Sequence, residues 1–503
     1  MAVTLALILV LITGCTAGSD LKNPAGSPAE TRLAYAAADG IYVRDLTDLL
    51  SGRESVGKAE SGLQGEPVRI YEGAGLAGPV FSQDGTRLMF KQMSEQTSEE
   101  TGDYRSTLYA YDFKTGQAVK VLDDPVSYNA GPGGSFVVST EAGRILGVDF
   151  SVEDPGDSGE SDDAGKIDGS GEQGGLALAL KTEELQVWPE DVEKHPLVSI
   201  QYDNLMPSPD FHYLAYNVRV KDDRTDNRPE GFGPYYSGGL YVLDWDTGKA
   251  ATVVEPIRAT EEIMGNDPKP GPWSPDGKTL WVWNGPQSAS LTADGINGFF
   301  YHADTGKPTE FSPMLLAYDE NISYSREGTA AVLTGAGREM FSDKSVDLVA
   351  DYSGPTAKFQ EAEAIAKKGL VPAMPQLSAD GSTLYFAGVD KKTIGAYPLK
   401  RQLYSLKLDQ SQDLRQITSD PEYRNESPIL LNNQKDLIFG RAGARDYDGR
   451  MEIWMTSVDG KDEIKLAGWT EPENGNQWVM ERYNDYYGRG NWSGIFTIYD
   501  GTK

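Results

Sequence analysis

The sequence predicts an all-β protein, a β-propeller of seven or eight four-stranded blades. A turn of the form Ser-x-Asp-Gly recurs along the 503 residues, each time ahead of an apolar burst. Repetition of one β-unit at a fixed period is the mark of such an array. The bursts fill successive positions rather than alternate ones, as strands covered on both faces require. A content of 56 glycines suits a turn-rich β chain better than a helical one.

The fullest copy is Ser274-Pro275-Asp276-Gly277, which leads into Leu280-Trp281-Val282-Trp283. Others begin at Ser82, Ser208, Ser325 and Ser378, and degenerate copies stand at Gly133-Gly134-Ser135 and Asn432-Asn433-Gln434. The step from Ser274 to Ser325 is 51 residues, and those from Ser325 to Ser378 and from Ser82 to Ser135 are both 53. The step from Ser135 to Ser208 is 73 and contains an insertion, Glu153 to Gly175, with almost no apolar residues. That composition is expected to stay disordered.

Each unit carries a second landmark, a strand that ends in a tight turn. Leu240-Tyr241-Val242-Leu243-Asp244-Trp245-Asp246-Thr247-Gly248 is one example, and Leu108 to Gly116 and Phe300 to Gly306 are others. Asp and Thr oxygens cap such turns, and Gly accepts positive φ. A short fourth strand follows, as at Ala251-Thr252-Val253-Val254. Four strands in about fifty residues make a propeller blade. From Leu33 to Gly468 the chain thus resembles the TolB-like, WD-repeat-like propellers. That resemblance implies a scaffold used mostly to bind peptides or partner proteins. Some members carry a hydrolase domain after the propeller, and none is expected in this sequence.

The ends explain the two possible blade counts. Arg32 to Glu72 reads as three strands of a blade that lacks its first, and Trp478 to Asp500 is able to supply it. Pairing the two ends closes the ring, removes exposed edges and makes eight blades; a different pairing leaves seven. The propeller domain is thus 32–503. One helix is expected, about Thr356 to Lys368, with Pro355 before it and Gly369 after it.

Val3 to Ile12 is apolar and too short to span a bilayer. It runs into Leu11-Ile12-Thr13-Gly14-Cys15, which resembles a bacterial lipobox. Residues 1–14 then read as a lipoprotein signal peptide, Cys15 as the lipidated residue and 15–31 as a flexible tether. Cys15 is the single cysteine, so no disulfide within the chain is possible. No Lys or Arg lies between Met1 and Cys15, a departure from the usual positive start of a signal. The implied address is the bacterial cell membrane, lipid-anchored and facing outside the cytoplasm.

The net charge is −30, from 76 acidic and 46 basic residues. A surface that acidic repels phosphate backbones, so no nucleic-acid partner is expected. The three histidines, His195, His212 and His302, are far apart and show no metal-ligand spacing. Nucleophile-elbow, P-loop and dinucleotide fingerprints are absent. No catalytic residue and no cofactor are assigned. Asp244 and Asp246 have the spacing of oxygen ligands but do not fit a twelve-residue calcium loop, so any calcium binding is expected to be weak. Two segments depart from the repeat with exposed-type chemistry. The loop Lys221 to Tyr236 mixes Asp, Arg and Asn, and the C-terminal run holds Trp469, Trp478, Tyr483, Tyr486, Tyr487 and Trp492. Trp478, Tyr483, Tyr486, Tyr487 and Trp492 are the candidate contacts for a glycan or peptide; the same aromatics alternatively pack the closing blade. The expected function is a membrane-anchored protein- or peptide-binding or scaffolding module. The alternative is an enzyme acting on glycans or peptides at the central channel.

Overall fold

A computed structural model describes residues 30–55, 66–97, 104–153, 177–184, 194–224, 233–288, 294–338, 341–395, 399–443, 450–470 and 490–501. Within it the chain forms eight antiparallel four-stranded sheets. β1 (Thr31–Ala36), β2 (Gly40–Asp45) and β3 (Val68–Glu72) open the chain and take β32 (Phe496–Asp500) as their fourth member. The second blade is β4 (Leu76–Phe81), β5 (Arg87–Thr97), β6 (Tyr104–Asp112) and β7 (Gln117–Asp123). The third is β8 (Pro125–Ala130), β9 (Phe136–Thr140), β10 (Arg144–Glu153) and β11 (Ala177–Glu184). The fourth is β12 (Val198–Pro207), β13 (Tyr213–Asp222), β14 (Tyr235–Asp244) and β15 (Lys249–Val254). The fifth is β16 (Asn266–Trp273), β17 (Thr279–Pro286), β18 (Ile296–His302) and β19 (Lys307–Leu315). The sixth is β20 (Ile322–Tyr324), β21 (Ala330–Thr334), β22 (Ser345–Asp351) and β23 (Lys358–Glu361). The seventh is β24 (Leu370–Leu377), β25 (Thr383–Asp390), β26 (Gln402–Lys407) and β27 (Leu414–Gln416). The eighth is β28 (Tyr423–Leu430), β29 (Asp436–Gly443), β30 (Arg450–Ser457) and β31 (Glu463–Thr470).

The Ser-x-Asp-Gly turn joins the first and second strands of a blade, and its chemistry is visible at the Ser82, Ser208, Ser274 and Ser378 copies. Ser274 Oγ donates to Asp276 Oδ1 (2.6 Å) and accepts from Thr279 N (2.9 Å), while Gly277 takes φ 71°. Ser378 repeats this with Asp380 (2.6 Å) and Thr383 N (2.9 Å), and Ser208 with Asp210 (2.6 Å) and Tyr213 N (3.0 Å). Neighbouring turns also touch, since a Cβ on Gly277 would lie 2.4 Å from Asp210 Oδ1 of the preceding blade.

The second strand of each blade is the core, as the unbroken apolar bursts require. Leu280, Trp281, Val282 and Trp283 are all at most 1% exposed, and Leu384, Phe386 and Ala387 are fully buried. Alternate side chains go to opposite neighbours. Trp281 and Trp283 pack with Val332 and Val349 of the sixth blade, whereas Leu280 and Val282 join Ala215 and Val242 of the fourth.

Closure follows the pairing of the two ends. β1 pairs with β32 in antiparallel register, Thr31 with Asp500 through Tyr35 with Phe496. Thr31 is therefore already a strand residue and not the end of a tether. The eight-bladed count rests on this pairing. β32 also packs on β4 of the second blade, and the first strands of other blades likewise touch their successors around the axis.

Three sequence expectations need correction or completion. The expected helix over Thr356 to Lys368 forms only in its second half, Glu363–Lys367, and Lys358–Glu361 is instead β23. The sixth blade lacks a fourth strand without this segment, and its pairing with Asp347 to Asp351 and the contact of Phe359 with Phe311 outweigh local helix preference. A second helix, Thr47–Ser55, lies between β2 and β3 and was not expected. At the expected insertion, Glu153 is the last residue of β10 and pairs with Ala177; the rest of 153–175 lies outside the described residues, as do the signal peptide and Cys15. Among the described residues no helix is long and apolar enough to cross a membrane.

Gly440 lets a bulky ring reach the seam, for a Cβ there would sit 2.2 Å from Trp492 Cδ2. Gly440→Ala is expected to cost about 1–3 kcal/mol through overpacking, measured as a fall in the denaturant midpoint. Removal of 478–503 takes away β32 and is expected to lower the melting temperature strongly; an unchanged value would refute closure by the chain ends.

Candidate functional site

Antiparallel order divides the connections between two faces. Turns joining first to second and third to fourth strands all emerge on one face, which carries the repeated Ser-x-Asp-Gly and Asp-x-x-Thr-Gly phrases. Connections from second to third strands, and from blade to blade, emerge on the other. That second face holds the ends of the Lys221 to Tyr236 connection and the segment leading into β32, whereas Glu153 and Ala177, joining a third to a fourth strand, lie on the face of the repeated turns.

The first strands line the channel, and several carry a bulge at the same place. Register shifts occur at Ala77/Val80, Asp203/Met206, Ala373/Gln376 and Glu426/Ile429. Gly78, Asn204, Met374 and Ser427 sit in these shifts at φ 61°, 51°, 52° and 51°. Gly78, Asn204 and Met374 each lie four residues before the serine that opens the turn phrase, and Ser427 lies five before Asn432. Such bulges re-aim side chains and are concentrated near binding and active sites.

Two chambers occupy the channel. The larger, about 390 Å³, is polar and is lined by Ser127, Asn204, Lys269, Trp283, Asp319 and Glu320, among others. The smaller, about 120 Å³, is mainly apolar and includes Ile322, Met374, Pro428, Ile429, Trp492 and Phe496. Glu320 and Ser493 border both. Gly490, Asn491 and Ser493 form one wall of the polar chamber, so the chain entering β32 lies across the channel between the two. Lys269 makes no side-chain hydrogen bond or ion pair among the described residues, and Trp283 Nε1 is buried there without a hydrogen-bond partner. Gly271 makes room for that indole: a Cβ would lie 2.4 Å from Trp283 Cζ3.

A buried carboxylate holds the crossing segment in place. Glu426 is fully buried and accepts from Arg401 Nη1 (2.8 Å), Gly490 N (2.9 Å) and Trp492 Nε1 (3.0 Å), with Arg424 Nη1 at 4.0 Å. Burial opposes its ionisation, but the Arg424 and Arg401 guanidiniums and the two N–H donors outweigh that. Its carboxyl is held below the usual glutamate range. A buried charge with this many partners is costly to break singly.

The candidate contacts separate accordingly. Trp492 is 1% exposed, packs against Phe496 in the closing blade and also borders the smaller chamber. Trp478, Tyr483, Tyr486 and Tyr487 lie outside the described residues. Trp469 stacks on Tyr35 across the seam. Asp244 accepts from Thr247 N (2.9 Å) and Asp246 faces His212 Nδ1 (2.9 Å), so both carboxylates serve the turn. His302 links Thr279, Thr309 and the Tyr352 carbonyl. Among the described residues, no group of three or more His, Cys, Asp or Glu is placed to hold a metal. Lys269, Asn204, Asp319 and Glu320 were not singled out from sequence; the offset of four residues before the turn is the signal that finds Asn204.

The Glu426 cluster makes a signed prediction. Its folded pKa lies below the unfolded value of about 4.5, so ionised Glu426 favours folding above that pH. The contribution is lost as pH falls through the folded value. The gap in melting temperature between wild type and Glu426→Gln is expected to be widest near neutral pH and to narrow in acid.

No family model matches this chain, and no curated protein matches it. Solved structures that resemble it include an Agrobacterium tumefaciens protein described as a TolB, at 12% identity, covering 88% of this chain and 91% of that one, with a TM-score of 0.32. Pyrococcus horikoshii acylaminoacyl peptidase is 10% identical, covering 78% of this chain and 52% of that one, with a TM-score of 0.40. Vibrio parahaemolyticus oligogalacturonate lyase is 13% identical, covering 75% and 88%, with a TM-score of 0.36. Likenesses this distant carry no functional argument, and the architecture rests on the strand order itself: the chain is an eight-bladed β-propeller.

Proposed function

We propose that this chain is a lipid-anchored propeller outside the bacterial cytoplasm that binds a protein or peptide segment at its channel mouth. The supporting observation is the mixed lining of the polar chamber. Hydroxyls, amides, one lysine and two carboxylates face a common space, with an apolar chamber beside it. Such a surface suits recognition of a chain that presents both charges and apolar side chains.

The direction of β1 supports the anchoring half of the reading. β1 begins at Thr31, beside Asp500 at the far end of β32, on the face of the repeated turns. Arg32 Nη1 there donates to Gly85 O of the neighbouring turn (2.9 Å). A lipid on Cys15 would therefore hold the face of the repeated turns toward the bilayer and turn the opposite face, with the Lys221 to Tyr236 connection, away from it. Two acyl chains give stable attachment where one gives only marginal binding.

Cys15→Ser is expected to move the protein from membrane to soluble fractions; continued membrane association would sink the anchoring claim. Cross-linked partners recovered from the native envelope with wild type are expected to be lost with a Lys269→Glu and Asn204→Ala double variant that melts like wild type. Undiminished recovery would rule out the channel mouth as the binding site.

A further inference from the structure

Beside the channel, on the face of the Lys221 to Tyr236 connection, lies a third cavity, of about 340 Å³, between the fourth and fifth blades. It shares no lining residue with the polar chamber. Its walls come from the end of β13, the start of β14 and the facing ends of β16 and β17. Its size falls in the range of small-ligand sites. We propose that this groove binds an uncharged oligosaccharide.

The argument rests on which groups meet there. Tyr235 is 50% exposed, and its hydroxyl makes no hydrogen bond among the described residues. Asp267, on the facing strand, also has no side-chain hydrogen bond or ion pair among the described residues. Gln287 donates from Nε2 to the Tyr235 carbonyl (3.1 Å), tying the two walls together. Arg219 completes the lining and lies 3.4 Å from Asp203. A sugar ring offers an apolar C–H face and a rim of paired hydroxyls. An exposed tyrosine face suits the first, and planar carboxylate, amide and guanidinium groups suit the second.

The groove is built before any ligand arrives. Asp222 is fully buried and accepts from Arg224 Nε and Nη2, both at 2.8 Å, with Arg258 Nη2 at 3.5 Å. The Arg258 guanidinium lies 4.5 Å above the Tyr236 ring, which fixes that wall. Preorganised walls reduce the ordering cost of binding. Charge selects against acidic sugars: Arg219 is already faced by Asp203, Asp267 adds a negative charge, and the whole chain carries −30.

The test is saturation-transfer NMR and calorimetry on the full chain with three probes, chitotriose, maltotriose and trigalacturonate. At least one of the two neutral probes is expected to bind, and trigalacturonate to bind more weakly than that probe. Tyr235→Ala and, separately, Gln287→Ala, both at exposed positions, are expected to weaken the neutral probe about tenfold. Lys269→Ala in the channel is expected to leave it unchanged. Circular dichroism melting confirms that each variant is folded, and Gln287→Ala decides the matter if Tyr235→Ala is not. Failure of both neutral probes to bind would overturn the proposal. So would binding that survives the groove substitutions, binding lost with Lys269→Ala, or preference for trigalacturonate. A tripeptide mixture bound in a Tyr235-dependent way, in place of the sugars, would reassign the groove to peptides.

Discussion

Everything in this propeller depends on one seam, where β32 returns from the far end of the chain to lie against β1. Each other blade is contiguous in sequence and closes locally, so it needs only its neighbours. The first blade exists only when residues almost five hundred positions apart come together. Without that seam the eight sheets form an open array with two raw edges. Glu426 couples the seam to the channel, because the same carboxylate that faces Arg401 also holds Gly490 and the Trp492 indole. Closing the ring and shaping the channel wall are thus one event.

The two faces divide the work. On one, serine, aspartate and glycine repeat because each blade must make the same turn. Those residues have little freedom to vary. On the other, connections differ in length and chemistry from blade to blade, and the polar chamber and the groove beside Tyr235 open among residues near that side. Stability is concentrated in the fully buried second strands, which leaves the irregular face free to carry recognition.

The fold was legible because its signal is local. A Ser-x-Asp-Gly turn makes its own hydrogen bonds within six residues, and a strand buried on both faces writes an unbroken apolar run. The count of blades was less legible, since nothing near Thr31 or Phe496 names its partner. The expected helix failed for a related reason: Lys358 to Glu361 looks helical alone and becomes strand only because β22 waits beside it. The site was hardly legible at all. The bulge position is regular, but Gly78, Asn204, Met374 and Ser427 share a backbone conformation and no side-chain chemistry. The sequence left Trp492 between ligand contact and packing of the closing blade, because Gly440 and Glu426, which touch its ring, are distant in sequence.

The position of β1 within its sheet has a mechanical meaning. The chain before Thr31 leads directly into a strand flanked on both sides, by β2 over five residue pairs and by β32 over five more. Tension applied from the N-terminal side runs along the axis of β1, so both ladders are loaded in shear and must give way together. The same pull on an edge strand would peel rungs one at a time. Under the proposed anchoring at Cys15, a pull on the propeller would thus meet two ladders that resist together.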